Sequence, residues 1–146
     1  MGKKVIPFSL RSISTEEFAT IKNCYKEEES VGLDTNYGYG LNIEEQSIGV
    51  KFSVTFKCAD NPFIILKLLC EFEIDPETFS NFKKGDKYIL PKGFLTHMTV
   101  LTIGTARGVL HAKLEKTGFE KFILPTLDIS NMIEEDMSFD SPEKPK

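Results

Sequence analysis

The chain has 146 residues, of which 40% are hydrophobic and 27% are charged, so its length and composition fit one globular domain with a core of its own. A formal net charge of -4 argues against a nucleic-acid partner or an anionic membrane surface, because both select clustered Lys and Arg. The sequence contains no apolar run long enough for a signal peptide or a membrane span, so we expect a cytoplasmic protein without direct membrane insertion.

Two strand candidates and a long connection occupy the first third of the chain. Val5 to about Glu17 predicts an irregular strand. Apolar residues alternate from Leu33 to Ile43, which predicts a second strand whose glycines indicate a bend or a close backbone approach. The segment Thr20–Ser30 between them is too long for a hairpin turn, so we expect a crossover connection.

The clearest pattern is a strand pair in the middle of the chain. Apolar and polar residues alternate over Ile48–Cys58, and the pattern returns over Ile64–Ile74 with Lys67, Glu71 and Glu73 on the polar face, after a break at Asp60–Pro62. The two segments predict a long antiparallel hairpin with one buried and one polar face. The proposed register pairs Phe52 with Cys70, and Lys51 with Glu71 on the polar face.

The hydrophobic period changes after residue 90. Apolar residues recur every three or four positions over Pro91–Lys116, and Gly118 follows as a stop, so we predict a long amphipathic helix despite its many β-branched threonines. From Glu134 the chain is acidic and contains two prolines, which is typical of disorder. The predicted organisation is therefore a single domain over residues 1–133 and a disordered acidic tail over residues 134–146.

The sequence shows no catalytic or metal-binding constellation. His97 and His111 are fourteen residues apart on the predicted helix, about four turns, so they cannot share a ligand. The three cysteines lack a Cys-x-x-Cys spacing and are interpreted as reduced, mostly buried thiols. We expect no metal, no cofactor and no enzymatic activity.

Short sequence matches run from the last turns of the predicted long helix to Ile133, namely Ala106-Arg107, Gly118-Phe119, Leu124-Pro125 and Asp128-Ile129-Ser130, and upstream matches lie at Val31-Gly-Leu-Asp34 and Leu69-Cys-Glu71. In order and spacing, these residues resemble SecB, the export chaperone. The resemblance implies an α+β fold in which a four-stranded antiparallel Greek-key-like sheet carries a long and a short helix on one face. It also implies a homotetramer built as a dimer of dimers.

The same resemblance implies an ATP-independent holdase that binds unfolded polypeptides and can deliver them to a SecA-type export motor. Glu71 and Leu69 match residues that the family uses to dock the motor. The family's acidic position on the first strand falls at Ser12, whereas Glu16 aligns with the next acidic position.

Aromatic residues outside the periodic segments are the candidates for a client-binding groove. Such rings on polar connections are difficult to assign to a core, and they could bind extended apolar polypeptide with little specificity. The candidates are Phe18, Tyr25, Phe79, Phe82 and Tyr88. Core packing of each ring remains the alternative.

Two glycines on the predicted helix form a candidate oligomer interface. Gly104 and Gly108 would flatten one face of the helix, which costs helix stability unless another backbone packs closely there. Arg107 lies between them and could pair with a carboxylate of a second subunit. Packing against the sheet of the same chain is the alternative.

Two other functions compete with the general holdase. A chaperone of the same fold could serve one dedicated partner, such as an antitoxin. A small thioesterase with a hot-dog-like arrangement would require an acidic residue near the start of the long helix, where Pro91–Leu101 offers only His97.

Overall fold

The computed structural model describes residues 7–129, 133 and 135–140. Its ordered elements, in chain order, are β1 (Phe8–Thr20), a 3-10 helix (Lys22–Cys24), β2 (Val31–Asn42), β3 (Ser47–Cys58), β4 (Asn61–Ile74), α1 (Pro76–Asn81), β5 (Lys83–Lys84), β6 (Lys87–Leu90), α2 (Lys92–Leu114) and β7 (Met137–Asp140). The architecture is α+β, as predicted.

The main sheet has four antiparallel strands in the order β1-β4-β3-β2. Strands β2, β3 and β4 form a continuous meander, while β1 returns to pair with β4. The predicted crossover therefore joins the two edge strands of the sheet.

The register of the β3–β4 hairpin differs from the prediction by two residues. Phe52 lies opposite Leu68, and Lys51 lies opposite Leu69 instead of Glu71. The turn is tighter than the sequence suggested, because Ala59 and Asp60 both adopt positive φ values (48° and 66°), as a two-residue hairpin turn requires. The face assignment is nevertheless correct, since a shift of two residues preserves the alternation.

The long helix α2 lies on one face of this sheet, as predicted. The apolar face of β3 and β4 is almost fully buried beneath it, as is the helix face that includes Leu95, Met98 and Leu110. Thr96, Thr99, Thr102 and Thr105 each donate a side-chain hydrogen bond to the carbonyl oxygen four residues earlier. These bonds satisfy the hydroxyl groups inside the helix and explain how a threonine-rich segment is accommodated there.

Besides the 3-10 helix, three ordered features were not predicted, namely helix α1, the β5–β6 hairpin and strand β7. Asp75 caps α1 by accepting a hydrogen bond from the Thr78 amide (3.2 Å), and Pro76 follows at the first helical position. After α1, β5 and β6 pair around Gly85, which has φ = 67°.

The third unpredicted element corrects the prediction of a disordered tail. Met137–Asp140 form β7, which pairs antiparallel with β6 in a second, three-stranded sheet of order β5-β6-β7. The resemblance implies a short helix that begins at Asp128-Ile129-Ser130, and residues 130–132, in which it would start, lie outside the described residues.

Candidate functional site

A cleft between the edge strand β2 and the C-terminal strand β7 is the candidate functional site. Its volume is about 470 Å³, and its walls include Tyr37 and Tyr39 of β2, Leu95 of α2 and Met137 of β7. Glu135 and Asp136, both exposed, also line it. The cleft therefore combines an apolar, aromatic wall with an acidic edge.

The β2 wall of the cleft is tied to the long helix by Tyr39. Its hydroxyl contacts Thr99 Oγ1, and because Thr99 donates to the Leu95 carbonyl oxygen (2.7 Å), Tyr39 is the donor in this pair. Burial raises the pKa of Tyr39 above its usual value, so the ring stays neutral at physiological pH. The ring contact between Tyr37 and Tyr39, with centroids 5.9 Å apart, extends this wall along the strand.

A second cavity continues the cleft along β2. It has a volume of about 400 Å³ and is lined by Leu41 and Ile43 on one side and by Phe139 of β7 on the other. The side chains of β2 that face the helix thus run beside β7 over both cavities. An extended chain segment is the natural occupant of a trough of this shape.

The structure corrects the assignment of Phe79, Phe82 and Tyr88 to an open groove. All three are buried, with exposed fractions of 2%, 5% and 8%. They contact one another in a ring cluster that reaches Phe94 of α2. The short helix α1 and the β5–β6 hairpin fold this connection over the end of the sheet, so its rings form a second part of the core.

Tyr25 and Phe18 lie elsewhere in the molecule. Tyr25 is partly buried and stacks with Phe63, Phe119 and Phe122, where Lys121 Nζ lies 5.4 Å from the Tyr25 ring centroid. Phe18 is partly buried on β1, and Lys113 Nζ lies 5.5 Å from its ring centroid. The five predicted groove residues therefore do not form one site.

The predicted motor-docking residues share the face of the sheet opposite to α2. Glu71 accepts hydrogen bonds from Arg11 (2.9 Å) and Ser12 (3.1 Å), and Arg11 also pairs with Glu45 (2.8 Å). The Arg11 guanidinium is the main cause that lowers the pKa of Glu71. Arg11 can reach both carboxylates because the β1–β4 register shifts at its position, and such a bulge redirects the side chain.

The other two docking candidates lie on the same face but away from this network. Leu69 is partly buried between strands β1 and β3. Glu16 pairs weakly with Lys51 (3.9 Å). The role of these residues in docking remains a prediction.

The glycine face of α2 is open in this chain, whereas Arg107 makes hydrogen bonds within its own chain. Gly104 and Gly108 are exposed, and a Cβ atom added at either position would meet no atom within 4 Å. Val100 and Leu101, 49% and 41% exposed, continue this face. Arg107 donates to the carbonyl oxygens of Leu124 (2.8 Å) and Pro125 (2.9 Å) of its own chain, and its role in a contact between subunits stays a prediction.

Two features of the described residues bear on metal binding and on cysteine reactivity. The described residues include no group of His, Cys, Asp and Glu placed to hold a metal ion. Burial raises the pKa of the Cys70 thiol, so this cysteine is not an activated nucleophile. Within the same residues, none of the helices is long and apolar enough to cross a membrane.

Sequence reasoning missed Tyr37 and Tyr39 as candidate site residues. The alternation of β2 places both on the helix side, but the sequence does not show that β2 is an edge strand. The signal that could have identified them is the pair of aromatic residues on one face of a strand whose other face carries Gly38 and Gly40.

Comparison with known proteins defines the fold but not a family. Neither a protein-family model nor a curated protein matches the sequence. Among solved structures, the chain is similar to the SecB-like chaperone of Mycobacterium tuberculosis in complex with a ChAD peptide from the HigA1 antitoxin. The TM-score is 0.54 at 10% sequence identity, and the alignment covers 84% of this chain and 88% of the other. The chain thus has a SecB-like fold.

Proposed function

We propose that this protein is an ATP-independent chaperone that binds non-native polypeptide in the cleft along β2. The observation that carries the proposal is the trough beside an edge strand, with Tyr37, Tyr39 and Leu95 as its apolar wall. The similarity to a chaperone that was solved with a bound peptide supports a polypeptide as the ligand. Apolar side chains of an extended client would be buried there at about 25 cal/mol per Å².

The finer parts of the proposal concern assembly and delivery. We propose a cytoplasmic homotetramer with a Greek-key-like sheet in each subunit, and the open apolar face of α2 around Gly104 and Gly108 supports its assembly from several subunits. Delivery to a SecA-type motor would use the exposed face of the sheet at Leu69, Glu71 and Glu16. No covalent chemistry is part of this function, and an assay of thioester hydrolysis by the purified protein tests the competing enzyme hypothesis.

A refolding assay tests the chaperone function. Substoichiometric protein should delay the refolding of a slowly folding test protein, and Tyr37→Ser should weaken this delay because it removes a ring from the cleft wall. Asn36→Ser is the matched control, since its side chain lies on the opposite face of the same strand. If the wild-type protein does not delay refolding, the chaperone proposal fails.

A dedicated chaperone for one partner is the second candidate, because the similar mycobacterial structure holds an antitoxin peptide. The two candidates differ in client range. Delayed refolding of several unrelated test proteins supports a general holdase, whereas activity toward a single partner supports the dedicated chaperone.

A further inference from the structure

The C-terminal strand β7 pairs with β6 at the edge of the small sheet, and an extended peptide could take its place there. Strand β7 forms one edge of the small sheet, with Tyr88 opposite Phe139 and Leu90 opposite Met137. Met137 and Phe139 are only partly buried and rest against the core, while Ser138 between them is exposed. If β7 left this position, the backbone of β6 would become a free edge beside an apolar trough.

The contacts of β7 indicate which side chains a peptide in its place would need. The two apolar side chains at alternate positions line the two cavities along β2, Met137 in one and Phe139 in the other. A strand that adds to a sheet edge gains its affinity from main-chain hydrogen bonds and its specificity from alternate side chains.

Acidic residues flank Met137 and Phe139, and each lies beside a basic residue or a hydrogen-bond donor. Asp136 accepts a hydrogen bond from the Lys92 amide (2.8 Å) at the start of α2, whose preceding residue, Pro91, provides no side-chain cap. Asp140 lies opposite Lys87 on β6. Lys83 and Lys84 of β5 add positive charge to the same hairpin. The position is therefore matched to an acidic strand.

We propose that β7 is a resident ligand of a strand-addition site on β6, and that the client of this site is an extended peptide with large apolar side chains at alternate positions and acidic flanks. This inference rests on the proposed function, because it names the class of polypeptide that the cleft accepts. The client takes the place of β7 beside the β2 wall of the cleft, so binding requires that the C-terminal strand leave its position.

A disulfide lock in the full chain tests the proposal. Ile89 and Ser138 lie opposite each other on the face away from Phe139, and opposite residues of antiparallel strands are within the range that a disulfide can bridge. The double variant Ile89→Cys with Ser138→Cys, in a Cys24→Ser background, would hold β7 in place when oxidised. The probe is a fluorescent peptide of this chain's own sequence Glu-Asp-Met-Ser-Phe-Asp, and its control has the same composition with Met and Phe adjacent.

The reduced protein should bind the probe at least tenfold more tightly than the oxidised protein, which corresponds to a lock that lowers the open fraction of the site at least tenfold. The control peptide should bind weakly to both. Equal binding of the probe to the oxidised and reduced forms would overturn the proposal. It would mean that the probe binds without displacing β7, for example by pairing with the outer edge of that strand.

A second variant tests the same site without a disulfide. Met137→Ser with Phe139→Ser weakens the docking of β7, so probe affinity should rise about tenfold if the wild-type strand is docked about nine-tenths of the time. Unchanged or weaker binding by a variant that keeps its thermal unfolding transition would contradict the proposal. Refolding assays of the reduced and oxidised proteins distinguish a failure of this inference from a failure of the chaperone proposal. If both forms delay the refolding of a test protein equally, the strand-addition site is excluded and the chaperone proposal stands.

Discussion

At the scale of single residues, Phe82 shows how a polar connection can contribute to a core. Its ring lies 5.2 Å from that of Phe94 and 6.2 Å from that of Phe79, centroid to centroid, and it is 5% exposed. Phe82→Ala should therefore destabilise the protein by about 3–5 kcal/mol, comparable to Phe52→Ala in the sheet. Denaturant unfolding measures both changes.

Phe18→Ala is the control for this prediction, because Phe18 is only partly buried on an edge strand and its loss should cost less. A Phe82→Ala variant that keeps wild-type stability but loses client binding would contradict this prediction and support the assignment of Phe82 to a client-binding groove.

Glu71 gives the protein a defined sensitivity to acid. Its pKa is lowered in the folded state, first by Arg11 and then by Ser12, so its charged form stabilises the fold above the pKa of the unfolded chain. That contribution is lost as the pH falls through the lowered folded-state pKa. Glu71→Gln should be less stable than the wild type at neutral pH, and the difference should vanish in strong acid.

Unfolding curves recorded from neutral pH to strong acid measure this difference. Glu73→Gln is the matched control, two residues along the same face and outside the contacts with Arg11. A Glu71→Gln variant that stays less stable than the wild type by a constant amount at every pH would contradict the linkage.

At the scale of secondary structure elements, the open face of α2 can be tested by its glycines. Because no atom lies within 4 Å of a Cβ at Gly104 or Gly108, replacement by Ala should raise helix stability by up to about 1 kcal/mol per site in an isolated subunit. Replacement of both by Leu should instead reduce the mass measured by light scattering if this face joins subunits, because overpacking a close contact costs about 1–3 kcal/mol. Gly93→Leu, near the start of the same helix, is the control.

The elements that the sequence predicted are those with a strong period. Strands β3 and β4 and helix α2 carry regular hydrophobic repeats, and each was placed within a few residues of its observed position. The β3–β4 register failed because Ala59 gave no turn signal, although its backbone adopts positive φ. Helix α1 has a readable signal in Asp75-Pro76, but its length of six residues provides no period.

The candidate site was less accessible to sequence reasoning than the fold. Tyr37 gains its position in a cleft only because β2 is an edge of the sheet, which depends on the pairing of β1 with β4 over a long separation. Strand β7 has four residues in an acidic segment, and its pairing with β6 is not encoded by any local pattern. Tertiary pairing, and not local propensity, decides both.

At the scale of the whole molecule, the cleft, the sheet face around Glu71 and the open face of α2 are three separate surfaces. The cleft lies between β2 and β7, the Glu71 network lies on the sheet face opposite to α2, and the glycine face lies on α2 itself. Substitutions confined to one surface should therefore leave the other two intact. This separation makes client binding, motor contact and assembly independently measurable.

The strand order also has a consequence for how the chain acquires its structure during synthesis. Strand β1 emerges from the ribosome first, yet its only partner in the described sheet, β4, ends at Ile74, with Phe8 paired to that last residue. The meander β2-β3-β4 can form from local contacts as it is translated. Strand β1 can pair only after β4, the last strand of the meander, has been synthesised. Strand β1 thus stays unpaired until β4 has been synthesised, and during that interval this chain is itself the kind of polypeptide that a chaperone binds.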